Sequence, residues 1–338
     1  MSAIASPVRV HEIEAAAARI AGHVRETPLL ALESGAFGVT AQIVLKLESL
    51  QHSGSFKARG AFNSLLSLDV PKAGVIAASG GNHGAAVAYA AGRLGHRAEI
   101  FVPEISSPVK VQRLRDYGAI VHQIGANYGE ALAASRLRQA ETGALTVHAY
   151  DQAEVLAGQG TVAREFERQA VALGGIDTML VAVGGGGLIG GIAAWCAGRM
   201  NGPRIRLIAV EPERCPTLHA AFAAGEPVDV AIGGLAADSL GASRVGSLMF
   251  PLAQRAVDEV LLVPDAAIRA AQMALWSNLR LAAEPGGAAA LSALIAGIYK
   301  PAKGERVGVL LCGGNVDPAT LISSGQVSLP DGAGAPAR

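Results

Sequence analysis

Thr178-Met179-Leu180-Val181-Ala182-Val183-Gly184-Gly185-Gly186-Gly187-Leu188 places an unbroken apolar run directly before four glycines, and a helical stretch (188–199) follows. A short apolar run closed by a turn and a helix reads as one β–α unit of a parallel sheet. Four successive glycines cost too much conformational entropy to be turn filler. They let backbone N–H groups converge on an anion at a helix N-terminus, where the dipole also favours negative charge.

Working outward, the same alternation recurs. Apolar strand-like runs lie at 43–47, 75–78, 98–102, 120–124, 205–210, 260–263 and 307–311, with helical spacing at 83–94, 109–117, 128–141, 160–173 and 288–298. The pattern predicts βαβ units and sheets with a large parallel component. Two blocks are expected: residues 1–72 with 149–325 as a larger domain, and 73–148 as a smaller one. The Gly-, Ala- and Pro-rich end, 326–338, is expected to be a flexible tail.

Composition narrows the classes of function. The 338 residues are 51% hydrophobic with 42 glycines, and 28 basic residues balance 28 acidic ones. A neutral chain lacks the electrostatic footprint of a nucleic-acid or anionic-membrane binder. No apolar run approaches the ~20 residues that span a bilayer. The first 14 residues carry no signal core. The three cysteines, Cys196, Cys215 and Cys312, have no metal-site spacing and suit a reducing compartment. A soluble, cytoplasmic protein is expected.

The most unusual stretch is Ser53-Gly54-Ser55-Phe56-Lys57-Ala58-Arg59-Gly60. Lysines usually sit on solvated faces, but Lys57 is flanked by small residues and an aromatic. A partly desolvated lysine amine can form a Schiff base with an aldehyde. Three further turns join the tetrad as candidates. Ser79-Gly80-Gly81-Asn82-His83 offers backbone donors and an amide to a carboxylate or hydroxyl, or merely caps a helix. Cys312-Gly313-Gly314-Asn315 closes the last strand, and Cys312 is either a small buried hydrophobe or a ring contact. Glu284 before Pro285 reads as an ordinary first-turn acid. A rival reading exists: Gly185, Gly187 and Gly190 satisfy G-x-G-x-x-G and Glu211 ends the next strand, the context of a dinucleotide fingerprint. An NAD-dependent oxidoreductase therefore competes, although it leaves Lys57 without a role.

Taken together, S-F-K-x-R-G at 55–60, S-x-G-N-H at 79–83, the tetrad and C-G-G-N at 312–315 resemble the fold type II pyridoxal phosphate (PLP) enzymes. The likeness is to the threonine/serine dehydratase and serine racemase branch, and it runs from about residue 11 to 321. The resemblance implies a tryptophan synthase beta-like α/β fold, two open twisted domains with the cofactor in the cleft. It implies that Lys57 holds PLP and then removes the substrate α-proton, and that Phe56 packs on the pyridine ring. Gly184, Gly185, Gly186, Gly187 and Leu188 would cradle the phosphate. Asn82 would bond the ring hydroxyl, while Ser79, Gly80, Gly81, Asn82 and His83 would hold the substrate carboxylate. Cys312 would face the pyridine nitrogen.

A thiol there does not force ring protonation as a carboxylate would, which suits prompt loss of a β-hydroxyl, assisted by the cofactor phosphate. The expected activity is elimination of water from L-threonine, L-serine or a related bulkier or acidic β-hydroxy amino acid, giving a 2-oxo acid and ammonia. A β-replacement synthase or an amino-acid racemase is the alternative within PLP chemistry, and an idle binding protein the alternative outside catalysis. Gly80 stands where racemases of this branch carry a second, serine base, so racemisation is expected to be negligible. Of the divalent-metal site of some relatives, Glu211 and the Cys215 carbonyl have counterparts, but Thr217 replaces an aspartate; a metal is doubtful. Ser239 stands where relatives usually have glycine. Nothing after Asn315 matches a C-terminal regulatory domain, so a catabolic or unregulated enzyme is expected. A homodimer is the family expectation.

Overall fold

The computed structural model describes residues 8–199 and 202–322. The expected flexible tail lies outside them. Among the described residues ten strands form two sheets: β1 (Leu29–Ala31), β2 (Gln42–Lys46), β3 (Val75–Ala78), β4 (Ala98–Val102), β5 (Ile120–Gln123), β6 (Leu145–Thr146), β7 (Thr178–Ala182), β8 (Arg206–Pro212), β9 (Val257–Val263) and β10 (Arg306–Leu310). One sheet runs β1-β2-β10-β7-β8-β9 and the other β5-β4-β3-β6. Every pairing is parallel except β1 with β2. All eight apolar runs read from the sequence are strands. β1 and β6, three and two residues long, were not anticipated, because so short a strand shows no alternation.

The sheets are parallel because helices carry the chain back between strands, and those helices cover both faces. Hence β4 and β7 are buried at every position. Ile43, Leu180, Ile208 and Val309 lie in one core and Ile100, Val75 and Val87 in the other. The helix Lys57–Ser67, which follows β2 of the larger sheet, buries Ala58, Ala61, Phe62 and Leu65 in the core of the smaller one. It thus ties the two cores together. The helix Ala153–Ala170 contributes Val155 to the second core and Leu156 and Phe166 to the first.

Among the described residues no helix is long and apolar enough to cross a membrane. The three cysteines are unbridged.

The parallel arrangement has one consequence for chemistry. Loops at the carboxyl ends of parallel strands gather on one side, where such sheets bind ligands. Here the ends of β3, β4, β7 and β10 converge on one cleft.

Candidate active site

Lys57 is the first residue of its helix, and the turn before it is stitched to the end of β10. Ser55 bridges Gly313, and the Phe56 N–H donates to the Cys312 carbonyl at 3.1 Å. The Lys57 ammonium donates to the Ala149 carbonyl at 2.6 Å and lies 5.2 Å from the centre of the Phe56 ring. Burial of the amine lowers its pKa to about 8, against the pull of the Cys312 and Glu284 sites. A substantial neutral fraction near physiological pH makes it a competent nucleophile.

The tetrad ends β7 and opens the helix Gly187–Gly198. Gly186, at the N-cap, has φ +87°, a left-handed conformation that only glycine adopts without strain. A Cβ on Gly185 would lie 2.3 Å from the Tyr150 ring, so the backbone can approach only because the side chain is absent. The first N–H groups of a helix have no intrahelical acceptor. They open on the cleft and are matched to an anion.

The Asn82 turn faces them. Asn82 opens the helix Asn82–Leu94, and its amide is held from both sides. Its Nδ2 donates to Glu284 Oε1 at 2.5 Å, and its Oδ1 accepts from Asn315 Nδ2 at 2.6 Å. Asn315 Nδ2 also donates to the Ser53 carbonyl at 2.8 Å. Ser79 Oγ accepts from the Gly81 N–H at 3.3 Å. His83 is buried with Nε2 2.9 Å from the Val147 carbonyl, and desolvation lowers its pKa to about 3. Its ring is therefore neutral and committed to that carbonyl, although it still lines the cavity. Cys312 is buried beside these groups, 3.4 Å from the Gly286 carbonyl, and desolvation pushes its thiol pKa far up. It stays protonated.

Most of these residues surround one cavity of about 660 Å³. Phe56, Lys57, Ser79, Gly80, Gly81, Asn82, His83, all four tetrad glycines, Leu188, Glu284 and Cys312 line it.

The family model for "Pyridoxal-phosphate dependent enzyme" matches residues 20–313. The chain belongs to that family. It is 39% identical over 306 residues to the phenylserine dehydratase of Ralstonia pickettii, covering 90% of this chain and 92% of that protein. It is 39% identical over 311 residues to the L-threonine ammonia-lyase of Geobacter sulfurreducens, covering 91% and 76%. The structure of maize serine racemase superposes with a TM-score of 0.86 at 35% identity, over 94% of this chain and 97% of that one. The fold is that of a fold type II PLP enzyme, and the chain is a PLP-dependent lyase.

The residues present fit that cofactor on their own chemistry. A desolvated lysine suits the aldehyde, and glycine-lined N–H groups suit the phosphate. The nicotinamide reading fails on the same ground, because Glu211 is not free for a ribose. Its Oε1 accepts from the Leu218 N–H and its Oε2 from the His219 N–H, both at 2.8 Å, and Oε1 lies 2.8 Å from Thr217 Oγ1. Glu211 is thus buried as the cap of the helix Thr217–Ala224. Those bonds equally occupy the oxygens that a cation would need. Among the described residues no cluster of three His, Cys, Asp or Glu is arranged to hold a metal. Cys215 uses its thiol on the Gly233 carbonyl at 3.0 Å. Ser239 lines the cavity, but its Oγ accepts from the Gly286 N–H at 2.9 Å, capping the helix Pro285–Ile295.

Sequence reasoning missed three parts of this site. Glu284 is buried and not a solvated first-turn acid; desolvation raises its pKa to about 7, opposed by the bond from Asn82. Tyr150 forms the wall behind the tetrad and carried no motif. The third is a charge-neutral quartet behind Lys57. Arg59 donates from Nε and Nη2 to both oxygens of Glu48 (2.8 and 2.7 Å) and from Nη1 and Nη2 to both oxygens of Glu165 (2.9 Å each). Lys46 donates to Glu165 Oε1 at 2.5 Å and to the Thr27 carbonyl at 2.7 Å. The arginine of the lysine motif was visible in the sequence; its partner, more than a hundred residues away, was not.

Proposed function

We propose that this PLP enzyme eliminates water from a β-hydroxy-α-amino acid and releases a 2-oxo acid and ammonia. The observation that carries the reading is the pairing of Lys57 with a protonated thiol, Cys312, in the cavity that holds the glycine tetrad. When bound, PLP supplies a sink for the electrons left on the substrate α-carbon. Lys57 receives the α-proton on Nζ. The N–H groups of the tetrad and Leu188 fix the phosphate end, and Phe56 supports the ring. Asn82, oriented by Glu284 and Asn315, presents its amide to the ring hydroxyl. The backbone of the Ser79, Gly80, Gly81, Asn82 and His83 turn receives the substrate carboxylate. The α-proton and the β-hydroxyl leave together as one water, and a second water adds to the released enamine, so the balance is amino acid in, 2-oxo acid and ammonia out.

The names of the relatives support elimination and also admit racemisation. Racemisation needs a second proton donor on the opposite face of the α-carbon, and Gly80 has none to give. We take the two sheets as the two domains of the expected division, with 73–148 as the smaller. A cytoplasmic homodimer belongs to this reading and rests on family likeness; light scattering on the purified protein tests the stoichiometry. The function itself is tested by incubating the holoenzyme with L-threonine, L-serine and related β-hydroxy amino acids. Ammonia and a 2-oxo acid are expected, and their absence from every incubation refutes elimination. The purified protein should also absorb near ~410–420 nm, a band lost on borohydride reduction of the lysine linkage.

A further inference from the structure

The inner end of the cavity is lined by the groups described above, and its exposed rim carries, beside the Lys110–Asp238 pair, three apolar side chains. Ile105, in the turn after β4, is 84% exposed; Tyr128, at the start of the helix Tyr128–Thr142, is 55% exposed; and Ile232 is 48% exposed. All three line the same cavity. Isolated apolar surface residues carry no message, whereas several gathered around one concave site do. Ile105 and Tyr128 belong to the side of the cleft built on the smaller sheet, and Ile232 stands with Asp238 and Ser239 on the other side. A group lying between them would be enclosed from both.

Charge separates the possible occupants. The cations lining the cavity are Lys57 and Lys110. Lys57 is committed to the cofactor, and Lys110 donates to both oxygens of Asp238 at 2.6 Å. Apart from Lys57, the residues lining the cavity therefore offer a carboxylate on the substrate β-carbon no unpaired cation. A hydrogen or a methyl group there would cover less of this exposed apolar surface than a ring would.

We propose that the preferred substrate is a β-hydroxy-α-amino acid with an apolar, ring-sized β-substituent, which Ile105, Tyr128 and Ile232 receive. This rests on the elimination reading for its chemistry but not for its binding, and the two can be tested apart. L-Phenylalanine has the ring and no leaving group. Titrated into the holoenzyme and followed through the cofactor absorbance, it should bind at least ~10-fold more tightly than L-alanine, the scale of discrimination an apolar pocket provides. Equal affinities overturn the proposal whatever the enzyme catalyses. Turnover is measured in parallel. The kcat/KM for L-threo-3-phenylserine should exceed those for L-threonine and L-threo-3-hydroxyaspartate by a similar factor of about 10 or more. A preference for either of the latter refutes the proposal, whereas tight phenylalanine binding without 2-oxo acid from any substrate refutes elimination and leaves the apolar pocket standing. Ile105→Asn and Ile232→Asn, at exposed positions that do not support the fold, should each lower the phenylalanine-to-alanine affinity ratio by about 5-fold or more. An unchanged ratio in both variants also overturns it.

Discussion

Arg59→Met is the most direct probe of what holds the Lys57 helix in place. Methionine fills much of the volume of the arginine stem, so the change removes charge and hydrogen bonds more than packing. Arg59 is 1% exposed and makes four bonds to two carboxylates, of which Glu48 is fully buried. Without it, Lys46 alone must balance the charges of Glu48 and Glu165, Thr27 supplying only uncharged donors, and one buried negative charge is uncompensated. Removing one partner of a buried ion pair costs about 3–5 kcal/mol. Although burial pushes the Glu165 carboxyl up, the bonds and charges of Arg59 and Lys46 outweigh it and hold the pKa below its ordinary value.

The sign of the pH dependence follows. In the wild type, the stability contributed by Glu165 is present above the unfolded carboxylate pKa, ~4.3, and is lost as pH falls through the lower folded value. In the variant, burial dominates and the folded pKa rises above ~4.3, so the native state takes up a proton before the unfolded state does as pH falls. The difference between the two proteins should therefore be largest near pH ~8 and shrink toward pH ~5. Urea unfolding followed by circular dichroism at both values measures it. A loss under ~1 kcal/mol near pH ~8, or a loss that does not change with pH, would refute the assignment of a buried, charge-neutral quartet.

Other outcomes follow from the site itself. Gly80→Ser should raise formation of the D-enantiomer from L-serine by about 100-fold, the lower range of what a positioned proton donor contributes. A Cβ there meets Ser106 Oγ at 3.4 Å and Val102 Cγ1 at 3.5 Å, ordinary contacts, so no gain on chiral chromatography would count against the geometry and not the fold. Lys57→Ala should lower elimination by at least ~100-fold and abolish the borohydride-sensitive band, while far-ultraviolet circular dichroism is unchanged. Because burial lowers the Lys57 pKa to about 8, the rate at which apoenzyme takes up PLP should rise with pH and level off above that value, as stopped-flow absorbance would show. A rate that keeps climbing toward the ordinary lysine range would show that the amine is solvated.

The sequence by itself determined the parts of this protein that are written in local order. Alternating apolar runs and helical spacing reveal parallel sheets, since burial on both faces leaves a strand such as β7 no polar position. Glycine clusters at strand ends mark where backbone must approach a ligand, and an aromatic-flanked lysine marks a desolvated amine. Lys57, Asn82, the tetrad and Cys312 were legible for that reason, and they do line one cavity.

What the tertiary structure decided is partnership. Glu284 differs from any first-turn acid only in being buried against Asn82, and Glu211 differs from a ribose or metal ligand only in having three donors already on it. Arg59 became a structural residue when the chain returned to place Glu165 beside it. Ile105, Tyr128 and Ile232, scattered over more than a hundred residues, share a cavity mouth. Such facts follow from which groups desolvate one another, and desolvation depends on distances across the fold, not along the chain.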